Sequence, residues 1–139
     1  MKCFPAMLAL ALLVSGHSYA KVCNEKDAEA ADLAVDNLTS WQAIQQNAVK
    51  YGHCDDGSIA EGNSEAVARM LVDKWDEIGA LQLLVSHDEA FKNYVLSHIN
   101  STLDTGDLEQ LINLSSESCP TQSQSLCSDL ELSAKKALQ

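Results

Sequence analysis

Apolar residues return at helical spacing along most of the chain, and residues of the kind that cap helices stand between the runs. After Asn24 and Asp27, the residues Ala28, Ala31, Val35 and Leu38 recur three or four apart, which predicts a first helix over 25–37 with a small, shallow apolar face. Thr39-Ser40-Trp41-Gln42 has the form of a capping box, and Trp41, Ile44, Ala48 and Tyr51 carry a second helix inward to a stop near Gly52. The stretch from His53 to Asn63, with its glycines and the adjacent Asp55 and Asp56, has no periodicity and reads as the longest internal loop. With Asn63 or Ser64 as cap, Val67, Met70, Leu71, Trp75 and Ile78 fall on one stripe, with Arg69, Asp73, Lys74 and Asp76 on the wetter side and Gly79 as the place for a break or kink.

The apolar run Ala80 to Val85 suits a buried helix or a strand, and with no other strong strand to pair with, it is read as helix. Ser86 and Glu89 make a second capping box ahead of Phe91, Tyr94, Val95, His98 and Ile99. Asp104-Thr105-Gly106 is a turn, and Leu108, Leu111, Ile112 and Leu114 mark a shorter helix that stops in Ser115-Ser116-Glu117-Ser118. Pro120 breaks any continuation, while Thr121 and Gln124 form a third box for a terminal helix with Leu126, Leu130, Ala134 and Leu138 inside. The predicted fold is all-α, a compact single-domain bundle of about five to seven helices.

The first 20 residues do not belong to that pattern. Lys2, the apolar run Ala6 to Val14, and Ser18-Tyr19-Ala20 have the layout of a cleavable export signal, too short in its apolar part to span a bilayer. Residues 1–20 are therefore read as signal peptide and 21–139 as the domain. The absence of cysteine at the cleavage point, where Gly16 is followed by His17, argues against a lipid-anchored form. Cys3 leaves with the signal, so Cys23, Cys54, Cys119 and Cys127 form an even set delivered to an oxidising compartment, where disulfides are expected. Four cysteines allow three pairings, which spacing alone does not separate. If neighbours pair, chain entropy assigns about 3.7 kcal/mol to the longer loop and about 2.6 kcal/mol to the shorter. No pair has the two-residue spacing of a thiol oxidoreductase. Lys2 is the only charged residue among positions 1–20, so cleavage moves the formal charge from −11 to −12. Such a surface disfavours nucleic acid, which needs a basic patch, and suits a basic protein partner drawn in at long range.

Chemistry-bearing residues are few. His53 beside Cys54 resembles a nucleophile pair only on paper, because chain neighbours point apart and the thiol is expected in a disulfide. His98 shares the apolar face of Phe91, Tyr94 and Val95 and reads as a satisfied core histidine, and His87 as a solvated one near a cap. Asp55, Asp56, Gly57, Ser58 and Glu61 lack the alternating oxygen ligands of a calcium loop. There is no helical His-Glu-x-x-His, phosphate-cradling glycine loop or serine elbow, so no catalytic residue, metal ligand or cofactor is assigned. The sequons at Asn37, Asn100 and Asn113 are read as chance. The segment Ser115 to Thr121 stands out as a binding candidate: polar, carrying Glu117, and stiffened by Pro120 and by any disulfide at Cys119.

The export signal, the acidic helical body and the stretch Leu114-Ser115-Ser116-Glu117-Ser118-Cys119-Pro120 before the last helix resemble the immunity proteins that neutralise type VI secretion amidase effectors, in particular the family antagonising the fourth class of these peptidoglycan amidases. The resemblance spans 21–139 and rests on overall pattern and on that one segment. It implies a periplasmic homodimer that binds a papain-like amidase, is not itself an enzyme, and protects the cell wall. Ser115, Ser116, Glu117 and Ser118 would then enter the amidase cleft, with a helical surface from Ser64 to Glu77 as the second contact. The rival readings are a secreted helical carrier with Trp41, Trp75, Phe91 and Tyr94 around an apolar cavity, and a hydrolase or redox enzyme with a free reactive thiol.

Overall fold

The computed structural model describes residues 20–139, so the export-signal reading lies, but for Ala20, outside the described residues. Among the described residues seven α-helices follow one another: α1 (Glu25–Val35), α2 (Trp41–Tyr51), α3 (Gly57–Asp73), α4 (Ile78–Val85), α5 (Glu89–Ser97), α6 (Thr105–Glu117) and α7 (Gln124–Ala137). Short 3₁₀ turns at Gly52–Cys54, Trp75–Glu77 and Thr121–Ser123 precede α3, α4 and α7, and no strand occurs among the described residues. The all-α expectation is met at the upper end of its helix count.

The caps show how neighbouring candidates are sorted. Asn24 opens α1 as read, its Oδ1 accepting the Asp27 N–H at 2.9 Å. The second helix is capped by Ser40 instead of Thr39, because Ser40 is the extended residue (φ −147°) whose hydroxyl reaches the Ala43 N–H. Asp88 replaces Ser86 at α5 for the same reason, its Oδ1 accepting the Phe91 N–H at 2.9 Å. No side chain caps α7, whose first turn continues from the 3₁₀ turn that Thr121 opens.

The largest departure is the expected loop from His53 to Asn63, most of which is helix. Asp56, extended at φ −148°, caps α3 through the Gly57 N–H at 2.8 Å, and Gly57 supplies the left-handed φ of +52° at the corner. Gly62 is a packing residue: a Cβ there would lie 2.8 Å from Cγ1 of Val35, so its absence lets α1 and α3 approach. Composition read it as a breaker; the neighbouring helix explains it. Likewise the break after α3 falls at Lys74 (φ −128°, ψ 44°), while Gly79 sits unremarked within α4.

Trp41 and Ile44 of α2, Val67, Met70 and Leu71 of α3, Leu81 and Val85 of α4, Phe91 and Val95 of α5, Leu108 and Leu111 of α6, and Leu126 and Leu130 of α7 share one core. Helices α6 and α7 form the most extensive pair, and α3 touches α1, α2 and α6. Helix α1 buries only Ala31, too little apolar area to hold it by burial alone. The disulfide Cys23–Cys54 ties its start to the end of α2, and Cys119–Cys127 closes the α6–α7 junction. This pairing is the one between sequence neighbours. Two such bonds belong to an oxidising, extracytoplasmic environment. Among the described residues no helix is long and apolar enough to cross a membrane.

Candidate interaction surface

The segment singled out for partner binding is not a loop. Ser115, Ser116 and Glu117 form the last turn of α6, and Ser118 is its C-cap, with its N–H bonded to the Leu114 carbonyl at 3.0 Å. Ser115 points inward and is 4% exposed, which removes it from any docking surface. Ser116 is exposed, but its hydroxyl donates back to the Ile112 carbonyl at 2.9 Å. Glu117 and Ser118 are exposed at the corner. The sequence misplaced the helix end because serines weaken a helix intrinsically, whereas here α6 is held by packing along α7.

What the corner lacks in length it has in rigidity. The Trp75 indole donates to the Ser118 carbonyl at 2.9 Å, the Ser123 N–H to the Pro120 carbonyl at 2.9 Å, and Cys119 is bonded to Cys127. Trp75 opens the turn between α3 and α4, where Asp76 is exposed and Glu77 half-buried. The end of α6 and the end of the 64–77 stretch are thus adjacent within a single chain, joined by the Trp75–Ser118 bond, with Asp76, Glu117 and Ser118 exposed next to its two ends.

Farther along α3 a cleft of about 350 Å³ opens against the end of α1, with Val35, Leu38, Ala66 and Met70 on its floor. Arg69, the only arginine in the chain, lies on its rim with Asp73 on Nη1 at 2.9 Å, Glu65 at 2.8 Å from Nε and Asp107 of α6 on Nη2. Partial burial opposes the guanidinium charge, but the three carboxylates, Asp107 foremost, raise its pKa. The positive charge is therefore spent within the molecule, leaving the face acidic.

The other sequence candidates resolve plainly. His53 does not meet a thiolate; its Nε2 lies 2.9 Å from Asp27 Oδ2, and Cys54 is in the disulfide. Hydrogen bonding from His53 first, then from Lys21, lowers the pKa of Asp27. All four cysteines of the described domain are bridged, so the free thiol that a thiol enzyme would need is not among them. The four aromatics do not ring a cavity: Trp41 is in the core and Trp75 serves the α6–α7 corner, leaving Phe91 and Tyr94 on a cleft of about 200 Å³ with Gln45 and Val49. No group of three histidines, cysteines or acids among the described residues is placed to hold a metal ion.

Sequence reasoning missed a buried polar chain. The Asn47 amide donates to Asn63 Oδ1 at 3.2 Å, the Asn63 amide to Asp55 Oδ1 at 2.9 Å, and Asp55 pairs with His98. Its members lie on α2, α3, the connection before α3 and the end of α5, so no local pattern could join them. No protein-family model matches the chain, and no curated protein or solved structure matches it.

Proposed function

We propose that this protein is a periplasmic immunity protein that binds and inhibits a papain-like peptidoglycan amidase of a type VI secretion system, acting as a homodimer. The observation that carries the reading is the α6–α7 corner, where Glu117 and Ser118 are displayed by backbone that a disulfide, a proline and the Trp75 indole already hold. A surface ordered before binding loses little entropy on docking, which favours an inhibitor. A Cys–His amidase carries an imidazolium and oxyanion-hole donors in its cleft, and a carboxylate with neighbouring hydroxyl and carbonyl oxygens complements both. The net charge of the chain, −11 before signal cleavage, attracts a basic enzyme at long range. With Ser115 buried, the contact set reduces to Ser116, Glu117 and Ser118, joined by Asp76 across Trp75.

The test is inhibition of a purified papain-like peptidoglycan amidase encoded beside this gene. The wild-type domain should inhibit it, and Glu117→Lys should bind at least tenfold more weakly at low salt while its stability stays within about 0.5 kcal/mol, as for an exposed surface position. Full inhibition by a folded E117K protein would remove the corner from the interface. Sedimentation of the mature domain as a monomer across the working concentration range would remove the homodimer.

A further inference from the structure

Three consecutive residues before α3 each grip a different part of the fold. Cys54 is bonded to Cys23 ahead of α1, His53 Nε2 lies 2.9 Å from Asp27 on α1, and Asp55 reaches His98 at the end of α5. The Asp55–His98 contact is the buried one, with His98 only 4% exposed. Both of its ring nitrogens face acceptors: Nδ1 lies 2.8 Å from the Tyr94 carbonyl oxygen, and Nε2 lies 3.2 Å and 3.1 Å from the two Asp55 carboxylate oxygens. A neutral imidazole has one N–H and one lone pair, so it would aim that lone pair at an oxygen. Only the imidazolium donates to both the Tyr94 carbonyl and Asp55, and the one hydroxyl near Nδ1, that of Ser97 at 3.3 Å, is turned to the same Tyr94 carbonyl at 2.7 Å. The Tyr94 ring lies against it, centroids 4.1 Å apart, which adds a cation–π attraction for the protonated form.

We propose that Asp55 and His98 form a proton-operated clasp, closed when His98 is an imidazolium, that joins the C-terminal turn of α5 to the start of α3. The groups around it support one charge of each sign. Asp55 is the carboxylate in reach of His98, and it also accepts from Asn63 at 2.9 Å. Asn47 and Asn63 supply only neutral amides, and Ser97 a hydroxyl 3.3 Å from Nδ1. Burial first, then the Asp55 charge, raises the Tyr94 phenol above its usual range, so it stays neutral. His53 is engaged by Asp27 on the far side of Cys54, Asp56 is committed to the Gly57 N–H, and Asp104 to the Gly106 N–H. Burial disfavours the charge on His98, but the hydrogen bonds that the ring donates to Asp55 and to the Tyr94 carbonyl outweigh it and raise its pKa. Burial likewise opposes the Asp55 charge, and the His98 and Asn63 hydrogen bonds lower its pKa.

The pH window follows from the two directions. A raised histidine pKa gives stability fully present below the unfolded value of about 6.5 and lost as pH rises through the folded value. A lowered aspartate pKa gives stability present above about 3.8 and lost as pH falls through the folded value. The clasp is therefore tightest between these limits and opens on the alkaline side.

Long-range ¹H–¹⁵N correlation spectra of the full mature domain, recorded from pH 5 to 9, read the imidazole of His98 directly. Expected are two protonated nitrogens at pH 6.5 and a titration midpoint above about 6.5. A neutral single tautomer at pH 6.5, or a midpoint below that value, would overturn the clasp without any variant having to fold. Hydrogen exchange gives the consequence: corrected for intrinsic rate, amide protection at the end of α5 should fall up to about tenfold per pH unit between 6.5 and the folded midpoint, then level off. In Asp55→Asn that slope should vanish, and an unchanged slope would also count against it.

Discussion

The two disulfides use the same bond in opposite settings. Cys23 and Cys54 lie 31 residues apart and join a helix with almost no buried apolar face to a connection in which every neighbour is also engaged, His53 by Asp27 and Asp55 by His98 and Asn63. Cys119 and Cys127 lie eight residues apart and close a corner between the two most extensively paired helices, where the backbone is held by single hydrogen bonds and Glu117 and Ser118 face solvent. The first bond makes up for missing core; the second shapes a surface. A crosslink's worth to stability and its worth to presentation are thus separable within one small domain.

Breaking the bonds separately should expose that contrast, and the longer loop gives the largest effect. Replacing Cys23 and Cys54 by alanine is expected to lower unfolding free energy by about 3.7 kcal/mol in urea titration, with α1 amides losing protection first. Replacing Cys119 and Cys127 is expected to cost about 2.6 kcal/mol, with exchange rising at Ser118 and Ser123 while α1 to α3 keep their protection. If the two double variants lost equal stability with the same exchange pattern, the distinction between staple and shaper would fail.

Two single substitutions sharpen it further. Gly62→Val should cost about 1–3 kcal/mol in the same titration by driving α1 off α3 through Val35, and Val35→Ala in the same chain should recover much of it. Smallest is Trp75→Phe, expected to cost about 1 kcal/mol through loss of the Ser118 hydrogen bond, and visible as faster exchange confined to the end of α6.

The helices were legible because their cause is local. Val67, Met70, Leu71 and Ile78, for example, all lie in the core that their spacing predicted. The cap at Asn24 was legible for the same reason, a side chain answering an N–H three residues away. Errors arose where two local readings were equally good and packing chose between them, as at Thr39 against Ser40, or where a distant helix changed a residue's meaning, as Val35 does for Gly62. The candidate surface was half legible: Glu117 and Ser118 are exposed as expected, but Ser115 turns inward and the supposed loop is the end of α6.

Taken by itself, the sequence determined the fold class, the helix order and the even set of cysteines, since periodicity, capping and thiol count are properties of neighbouring residues. Only the tertiary structure decided which cysteines pair, where α3 begins, and that Trp75 holds Ser118 and His98 meets Asp55 from 43 residues away. Those contacts join positions remote in the chain, and their free energy exists only once the core has brought them together.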